Sequence, residues 1–195
     1  MNLIFATHNR GKVREASDIL GEKYTLICPG EIGIEGEAEE TGSTLEENSL
    51  LKAEYIWERA GGRPCIADDS GLEVDALGGA PGVYTARYAG PDCSFDDNIA
   101  KLLRELQGVP AERRTARFKC VVTLIKDDRR YAFSGCMEGR IAFEKKGSLG
   151  FGYDPVFIAD AFPSQTLAEL GEDVKNTVSH RFQALQAMSK VLEEL

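Results

Sequence analysis

The segment Ile66-Ala67-Asp68-Asp69-Ser70-Gly71-Leu72 sets two adjacent carboxylates directly after a short apolar run. Such a run reads as a buried strand. Side chains alternate faces along a strand, so the two acids point to opposite sides and can serve one solvated surface only where the strand ends or bends. Ser70-Gly71 permits such an ending. The expectation is a strand end that delivers one acid to a site; the plainer alternative is an acid pair that solvates a loop. Hard cations such as Mg²⁺ are held by one or two carboxylates together with substrate phosphate oxygens, which is chemistry suited to acids in this position.

The chain has 195 residues, 43% of them hydrophobic, enough for one sizeable core, so a single domain over 1–195 is expected, with room for two lobes. Its formal charge of −9 disfavours nucleic-acid polymers and anionic membranes as partners, and no Lys/Arg stripe interrupts the acidic balance. Cys28, Cys65, Cys93, Cys120 and Cys136 are odd in number and widely spaced, with no C-x-x-C pattern. They read as reduced thiols of a cytoplasmic protein. No signal-peptide pattern and no apolar run of membrane-spanning length is present, so a soluble protein is expected.

Along the chain, Asn2–Ala6 reads as a strand and 11–20 as a helix with Val13, Ala16, Ile19 and Leu20 on one side. The loop between them, Thr7-His8-Asn9-Arg10-Gly11-Lys12, precedes a helix N-terminus, where free backbone N–H groups and the macrodipole favour an anion. Tyr24–Cys28 reads as a second strand and 30–42 as a flexible acidic loop. Thr44-Leu45-Glu46-Glu47 matches a capping box, and Leu50, Ala53, Trp57 and Ala60 form the apolar stripe of the helix that follows, with Asn48 and Lys52 off that stripe. The stretch 77–82 is a glycine-proline loop, 94–106 a helix capped by Ser94, and 115–126, 131–137 and 140–143 are strands at hairpin spacing. Phe151 and Tyr153 lie on a glycine loop, where aromatics either stack on a planar ring or cover a core. Ser179 caps a last helix and puts His180 and Arg181 in its first turn, where two basic groups oppose the macrodipole and call for an anionic or accepting neighbour.

Taken together, Thr7-x-Asn9-x-x-Lys12, Glu40-Thr41-Gly42 followed by Asn48 and Lys52, Ala67-Asp68-Asp69-Ser70-Gly71-Leu72, Leu77-Gly78-Gly79-Ala80-Pro81-Gly82, Phe151-Gly152-Tyr153-Asp154-Pro155 and Ser179-His180-Arg181 stand in one order. In that order they closely resemble the inosine/xanthosine triphosphate pyrophosphatase family, over nearly the whole chain. Ser148-Leu149 departs from the smaller Thr-Gly pair common in the family, which bears on the local loop conformation. The resemblance implies an α/β fold with a central mixed, curved sheet, flanking helices and two lobes around a nucleotide cleft. It implies Mg²⁺-dependent hydrolysis of ITP, dITP and XTP to the monophosphate and pyrophosphate by a homodimer. Thr7, Asn9 and Lys12 would hold phosphates within a segment that includes His8, Arg10 and Gly11, with Lys52 as a further contact. Glu40 and Asp69 would be the Mg²⁺ ligands, Asp69 also the catalytic base, with Asp68 beside it and Ser70 lining the site. Phe151, Gly152, Tyr153, Asp154, Lys175, His180 and Arg181 would enclose and read the base.

Two other readings remain at this stage. A phosphotransferase moving the γ-phosphoryl group would want a Walker A or kinase-type loop, and neither is in the sequence. A non-catalytic nucleotide sensor would not be expected to carry both acids and all the basic positions.

Overall fold

The computed structural model describes residues 1–194, apart from the side chain of Glu172; residue 195, the end of the expected single domain, lies outside the described residues. The strands are β1 (Asn2–Phe5), β2 (Thr25–Ile27), β3 (Cys65–Val74), β4 (Pro81–Gly82), β5 (Thr115–Lys126), β6 (Arg129–Ile141) and β7 (Phe157–Ala159). The α-helices are α1 (Arg10–Leu20), α2 (Leu45–Arg59), α3 (Phe95–Glu105), α4 (Leu167–Leu170), α5 (Glu172–Lys175) and α6 (His180–Leu192). Strand order is β2-β1-β3-β5-β6-β7, with β4 paired to β3. β1 runs parallel to β2 and β3, with Ile4 opposite Cys65 and Phe5 opposite Ile66, whereas β3–β4 and β6–β7 are antiparallel. The fold is therefore the expected α/β one with a mixed sheet.

The chain divides into two compact units, Met1–Asp69 with Cys120–Gly135 and His180–Leu195, and Ser70–Lys119 with Cys136–Ser179. In the first unit the strands bury both faces, and the period of two decides which residue meets which helix. Leu3, Phe5, Ile66, Cys120, Val122 and Leu124 pack with Ala16 and Leu20 of α1 and Ala184, Leu185 and Met188 of α6. The alternate residues Ile4, Cys65, Ala67 and Ile125 pack on the other side with Ala53 and Ile56 of α2 and with Ile34. Asp127 and Asp128, at φ 52° and 60°, close the β5–β6 hairpin in the conformation of a type I′ turn.

The second unit has its own core of Leu72, Val74, Ile99, Leu102, Leu106, Phe118, Val156 and Phe157. The rings of Phe118 and Phe157 lie 4.6 Å apart. Arg114 is buried there, and its guanidinium donates to the carbonyls of Leu106, Ile141 and Ala142 at 2.8–2.9 Å.

Several elements differ from the sequence reading. β3 does not end at Ser70-Gly71 but runs on to Val74, because Leu72 and Val74 continue the buried alternation and β4 pairs with this part of it. The expected strands 131–137 and 140–143 merge into one strand, β6, which starts earlier at Arg129 and ends at Ile141, short of Ala142 and Phe143. Gly139 does not break it; a Cβ there would lie 2.3 Å from the Ile158 carbonyl, so the glycine lets β7 approach. The acidic loop 30–42 is anchored by a 3₁₀ turn at Pro29–Ile32 and by buried Ile34.

Candidate active site

The strand period explains what happens to the acid pair. Asp68 follows Ile66 onto the face covered by α1 and α6, and Asp69 follows Ala67 onto the face covered by α2. Both are buried, at 2% and 7% exposure. Burial of a carboxylate is tolerable only where it is paired and hydrogen-bonded, and each helix brings the cation that its face needs.

On the first face, Asn9 caps α1 by accepting from the backbone N–H of Gly11 and Lys12 at 2.9 and 3.3 Å, while its own N–H donates to Thr7 Oγ1 at 3.2 Å. This cap fixes the first turn, from which Lys12 Nζ reaches Asp68 Oδ1 at 3.0 Å. One turn on, Glu15 is buried and receives a hydrogen bond from Arg181 Nη1. Arg181, at the start of α6, also donates from Nε and Nη2 to Asp68 Oδ2, at 3.0 and 2.9 Å. Burial alone would push the Asp68 carboxyl up, but Lys12, Arg181 and then Lys52 outweigh it and hold it well below the usual carboxylate range. Burial likewise works against the Arg181 charge, and Asp68 and Glu15 overcome it. The start of α6 lies against β6: a Cβ on Gly135 would stand 2.0 Å from the His180 carbonyl oxygen and 2.8 Å from Gln183 Cβ, so only glycine allows the approach.

On the other face, Lys52 Nζ donates to Asp69 Oδ1 at 2.7 Å and to Glu40 Oε1 at 3.2 Å. Burial opposes the Lys52 charge, but Asp69, Asp68 and Glu40 raise its pKa above the ordinary value, so it is an ammonium. Asp69 is shifted upward, burial and Glu40 outweighing Lys52 and Lys12. Glu40 belongs to a loop held onto α2 by Asn48, which is fully buried and whose Oδ1 accepts from Gly42 N–H at 2.8 Å. Among the described residues, Asn48 Nδ2 has no hydrogen-bond partner.

In the second unit, Asp154 Oδ2 accepts from Phe151 N–H at 3.0 Å and from Lys175 Nζ at 2.8 Å. Asp154 and Lys175 are both buried, and the Lys175 ammonium sits 4.4 Å from the centre of the Phe151 ring. Gly150, at φ 76°, allows this turn; a Cβ there would lie 2.2 Å from Asp154 Oδ2. Tyr153 is buried with its hydroxyl donating to the Thr85 carbonyl at 2.9 Å, so of the two loop aromatics it is the one that covers a core.

The structure thus brings Thr7, Asn9, Lys12, Asp68 and Arg181 together around one acid, and Glu40, Lys52 and Asp69 around the other. Phe151, Asp154 and Lys175 form a separate cluster in the second unit. His8 lies on the loop surface, its Nε2 3.4 Å from the Gly36 carbonyl. Arg10 and Gly11 form the first turn of α1, Gly152 takes the positive φ of 62° that the Phe151 loop needs, and Ser70 begins the second unit's part of β3. His180 is buried at the head of α6. Sequence reasoning missed Glu15, Asn48 as a loop clasp, and Gly135. For Glu15 a signal existed: Lys12 and Glu15 are spaced i, i+3 with Ala16 and Ile19 on one helix face, so two charges extend an apolar stripe.

Among the described residues, no group of three or more His, Cys, Asp or Glu is placed to hold a metal ion by itself. The donor set fits Mg²⁺ nonetheless, because that ion takes hard oxygen ligands, one or two of them protein carboxylates and the rest phosphate and water. Glu40 and Asp69 already converge on a single positive charge, the Lys52 ammonium. No helix among the described residues is long and apolar enough to cross a membrane.

Residues 3–191 match the model of the Ham1 family. The chain is 49% identical over 192 residues to a dITP/XTP pyrophosphatase of Bacillus subtilis, covering 97% of this chain and 96% of that one. It is 48% identical over 197 residues to a dITP/XTP pyrophosphatase of Methylococcus capsulatus, covering 99% and 96%. The solved structure of the Staphylococcus aureus Ham1 protein superposes with a TM-score of 0.88 at 40% identity, over 100% of this chain and 99% of that one.

Proposed function

Because this chain belongs to the Ham1 family, we propose that it is a hydrolase of nucleotide metabolism that converts the non-standard purine triphosphates dITP, XTP and ITP to monophosphate and pyrophosphate. The observation that carries the reading is the split acid pair: Asp68 and Asp69 lie on opposite faces of one strand, each buried and each bonded to a lysine from a different helix. A polyphosphate needs cations along its length, and water must be delivered to one phosphorus.

Glu40 and Asp69 are the residues that would hold Mg²⁺, which when bound neutralises charge across the phosphates and polarises water. Asp69 orients the attacking water and accepts its proton at a carboxylate oxygen; a carboxylate that also ligates Mg²⁺ is a weak base, so positioning of the water is its main contribution. Water attacks the α-phosphorus, the bond to the bridging oxygen breaks, and pyrophosphate leaves. Lys12 and Lys52 stabilise the charge gathering on it. Thr7, Asn9 and the first turn of α1 position the phosphates, with His8, Arg10, Gly11 and Ser70 as neighbours. Asp68, held ionised, keeps the Lys12 ammonium and the α6 start in place. On the base side, Phe151 offers a ring to stack on and Gly152, Tyr153 and Asp154 shape its loop. Lys175, His180 and Arg181 supply donors suited to the keto oxygen of hypoxanthine and xanthine. A single catalytic domain acting as a cytoplasmic homodimer, with neither nucleic-acid polymer nor membrane as partner, completes the proposal.

The test is product analysis of purified protein with ITP and Mg²⁺. Pyrophosphate with IMP supports the reading; orthophosphate with IDP would make the protein a γ-phosphate enzyme, and no turnover a binding protein. Asp69→Asn should lower kcat by about 10²-fold or more, and a near-wild-type rate would move the chemistry elsewhere, Asp68 being the next candidate.

A further inference from the structure

Lys52 stands where two carboxylates that would hold a metal converge. Its Nζ is 2.7 Å from Asp69 Oδ1 and 3.2 Å from Glu40 Oε1, in a side chain only 14% exposed. This is not a chance surface pairing. The Glu40 loop is tied to α2, the helix that carries Lys52, by the Asn48–Gly42 hydrogen bond, and a Cβ on Gly42 would stand 2.6 Å from Asn48 Oδ1, so the tie is close. Asp69 is held by β3. The backbone that carries each anion is therefore held by the scaffold, while the cation sits on a flexible four-carbon stem that can leave.

We propose that Lys52 is the resident counter-cation of the metal position: it holds Glu40 and Asp69 together until a substrate phosphate draws its ammonium away, so that nucleotide and divalent cation enter as a pair and the metal binds poorly alone. The inference rests on the reading of Glu40 and Asp69 as metal ligands given above. Charge matching favours the exchange. Two carboxylates against one ammonium leave one negative charge; with Lys52 withdrawn, the same two carboxylates match a dication, and the freed ammonium meets the phosphate chain. An ammonium and a dication bound to the same oxygens repel each other at contact distance, in a partly desolvated place where such repulsion is poorly screened. The other acid differs in this respect. Asp68 and Glu15 are matched one for one by Lys12 and Arg181, so that cluster is balanced and makes no call for a further cation.

The experiment is a titration of the nucleotide-free protein with Mn²⁺, read by the loss of the free-ion electron paramagnetic resonance signal. The same samples are melted with and without Mg²⁺. Wild type, Lys52→Met and Lys52→Gln are compared, with Lys12→Met as a control that removes the same charge from the other face. Both Lys52 variants should bind Mn²⁺ roughly tenfold or more tightly than wild type and gain more thermal stability from Mg²⁺, whereas Lys12→Met should not. Adding Asp69→Asn to Lys52→Met should erase the gain. Unchanged or weaker Mn²⁺ binding in both Lys52 variants, with Asp69→Asn still weakening it, overturns the counter-cation role and leaves the metal assignment standing. An Asp69→Asn substitution without effect in either background overturns the metal assignment itself, and the inference with it.

Discussion

Replacing Arg181 with methionine, which keeps much of the volume and removes the charge, strips Asp68 and Glu15 of a shared partner inside the first unit. The guanidinium is 2% exposed and bonds Asp68 twice, at 2.9 and 3.0 Å, and Glu15 through Nη1. With charge centres about 4 Å apart and an effective dielectric of about 20, each pair is worth about 4 kcal/mol of attraction before desolvation is counted. Breaking a buried pair from one side costs about 3–5 kcal/mol. For a chain of this size that is a fall in Tm of roughly 6–20 °C. Urea denaturation of the metal-free protein at neutral pH, in a chelator, measures it. Adding Glu15→Gln should recover part of the loss, giving a coupling energy of about 1–3 kcal/mol in a double-mutant cycle. The pH dependence follows from the depressed folded-state pKa of Asp68. A depressed carboxylate contributes stability that is present above its unfolded pKa and lost as pH falls through the folded one, so wild type should keep this contribution well into acid. The variant should lose it at higher pH, since one of the charges holding Asp68 down is gone. A loss below about 1 kcal/mol, with no movement of the acid limb, would refute the claim that Arg181 is a structural counter-charge.

Gly135→Ala should destabilise the protein by about 1–3 kcal/mol or more and lower turnover, because its Cβ displaces the start of α6; melting and initial rates check this, and an unaffected protein would mean the α6 start yields freely. Arg181→Lys should slow ITP turnover far more than ATP turnover, narrowing the ratio of their kcat/KM values by about tenfold or more, if this arginine reads the keto oxygen. Equal slowing of both would confine it to holding Asp68 and leave base reading to Lys175, His180 and the Phe151 loop. Excess EDTA should abolish activity and Mn²⁺ should restore it, Glu40 and Asp69 being oxygen ligands; undiminished turnover under chelation would remove both from that role.

Much of this was legible along the chain because the relevant physics is local. The capping box at Thr44, the stripes of α1 and α3 and the β-branched strand at Val121-Val122-Thr123 depend on spacings of a few residues, and these stand where the spacings put them, whereas α2 buries Leu45, Asn48, Ser49, Ala53 and Ile56, a face shifted from the expected stripe of Leu50, Ala53, Trp57 and Ala60. That Asp68 and Asp69 face opposite ways also follows from the strand period alone. What the residues could not reveal one by one is which partner each acid meets, since that depends on which helix covers which face. Lys12 and Asp68 are separated by 56 positions and Arg181 and Asp68 by 113, and only packing of α1 and α6 on one side of β3 joins them. The same holds for β3 running past Ser70-Gly71. Local propensity favoured a stop, but buried Leu72 and Val74 and pairing with β4 outweighed it. Tertiary contact likewise turned Asn48 from a helix flank into the clasp of the Glu40 loop, and Gly135 from a strand weakness into the seat of α6. Periodicity specifies the face on which a residue lies, and long-range packing specifies the charge it finds there.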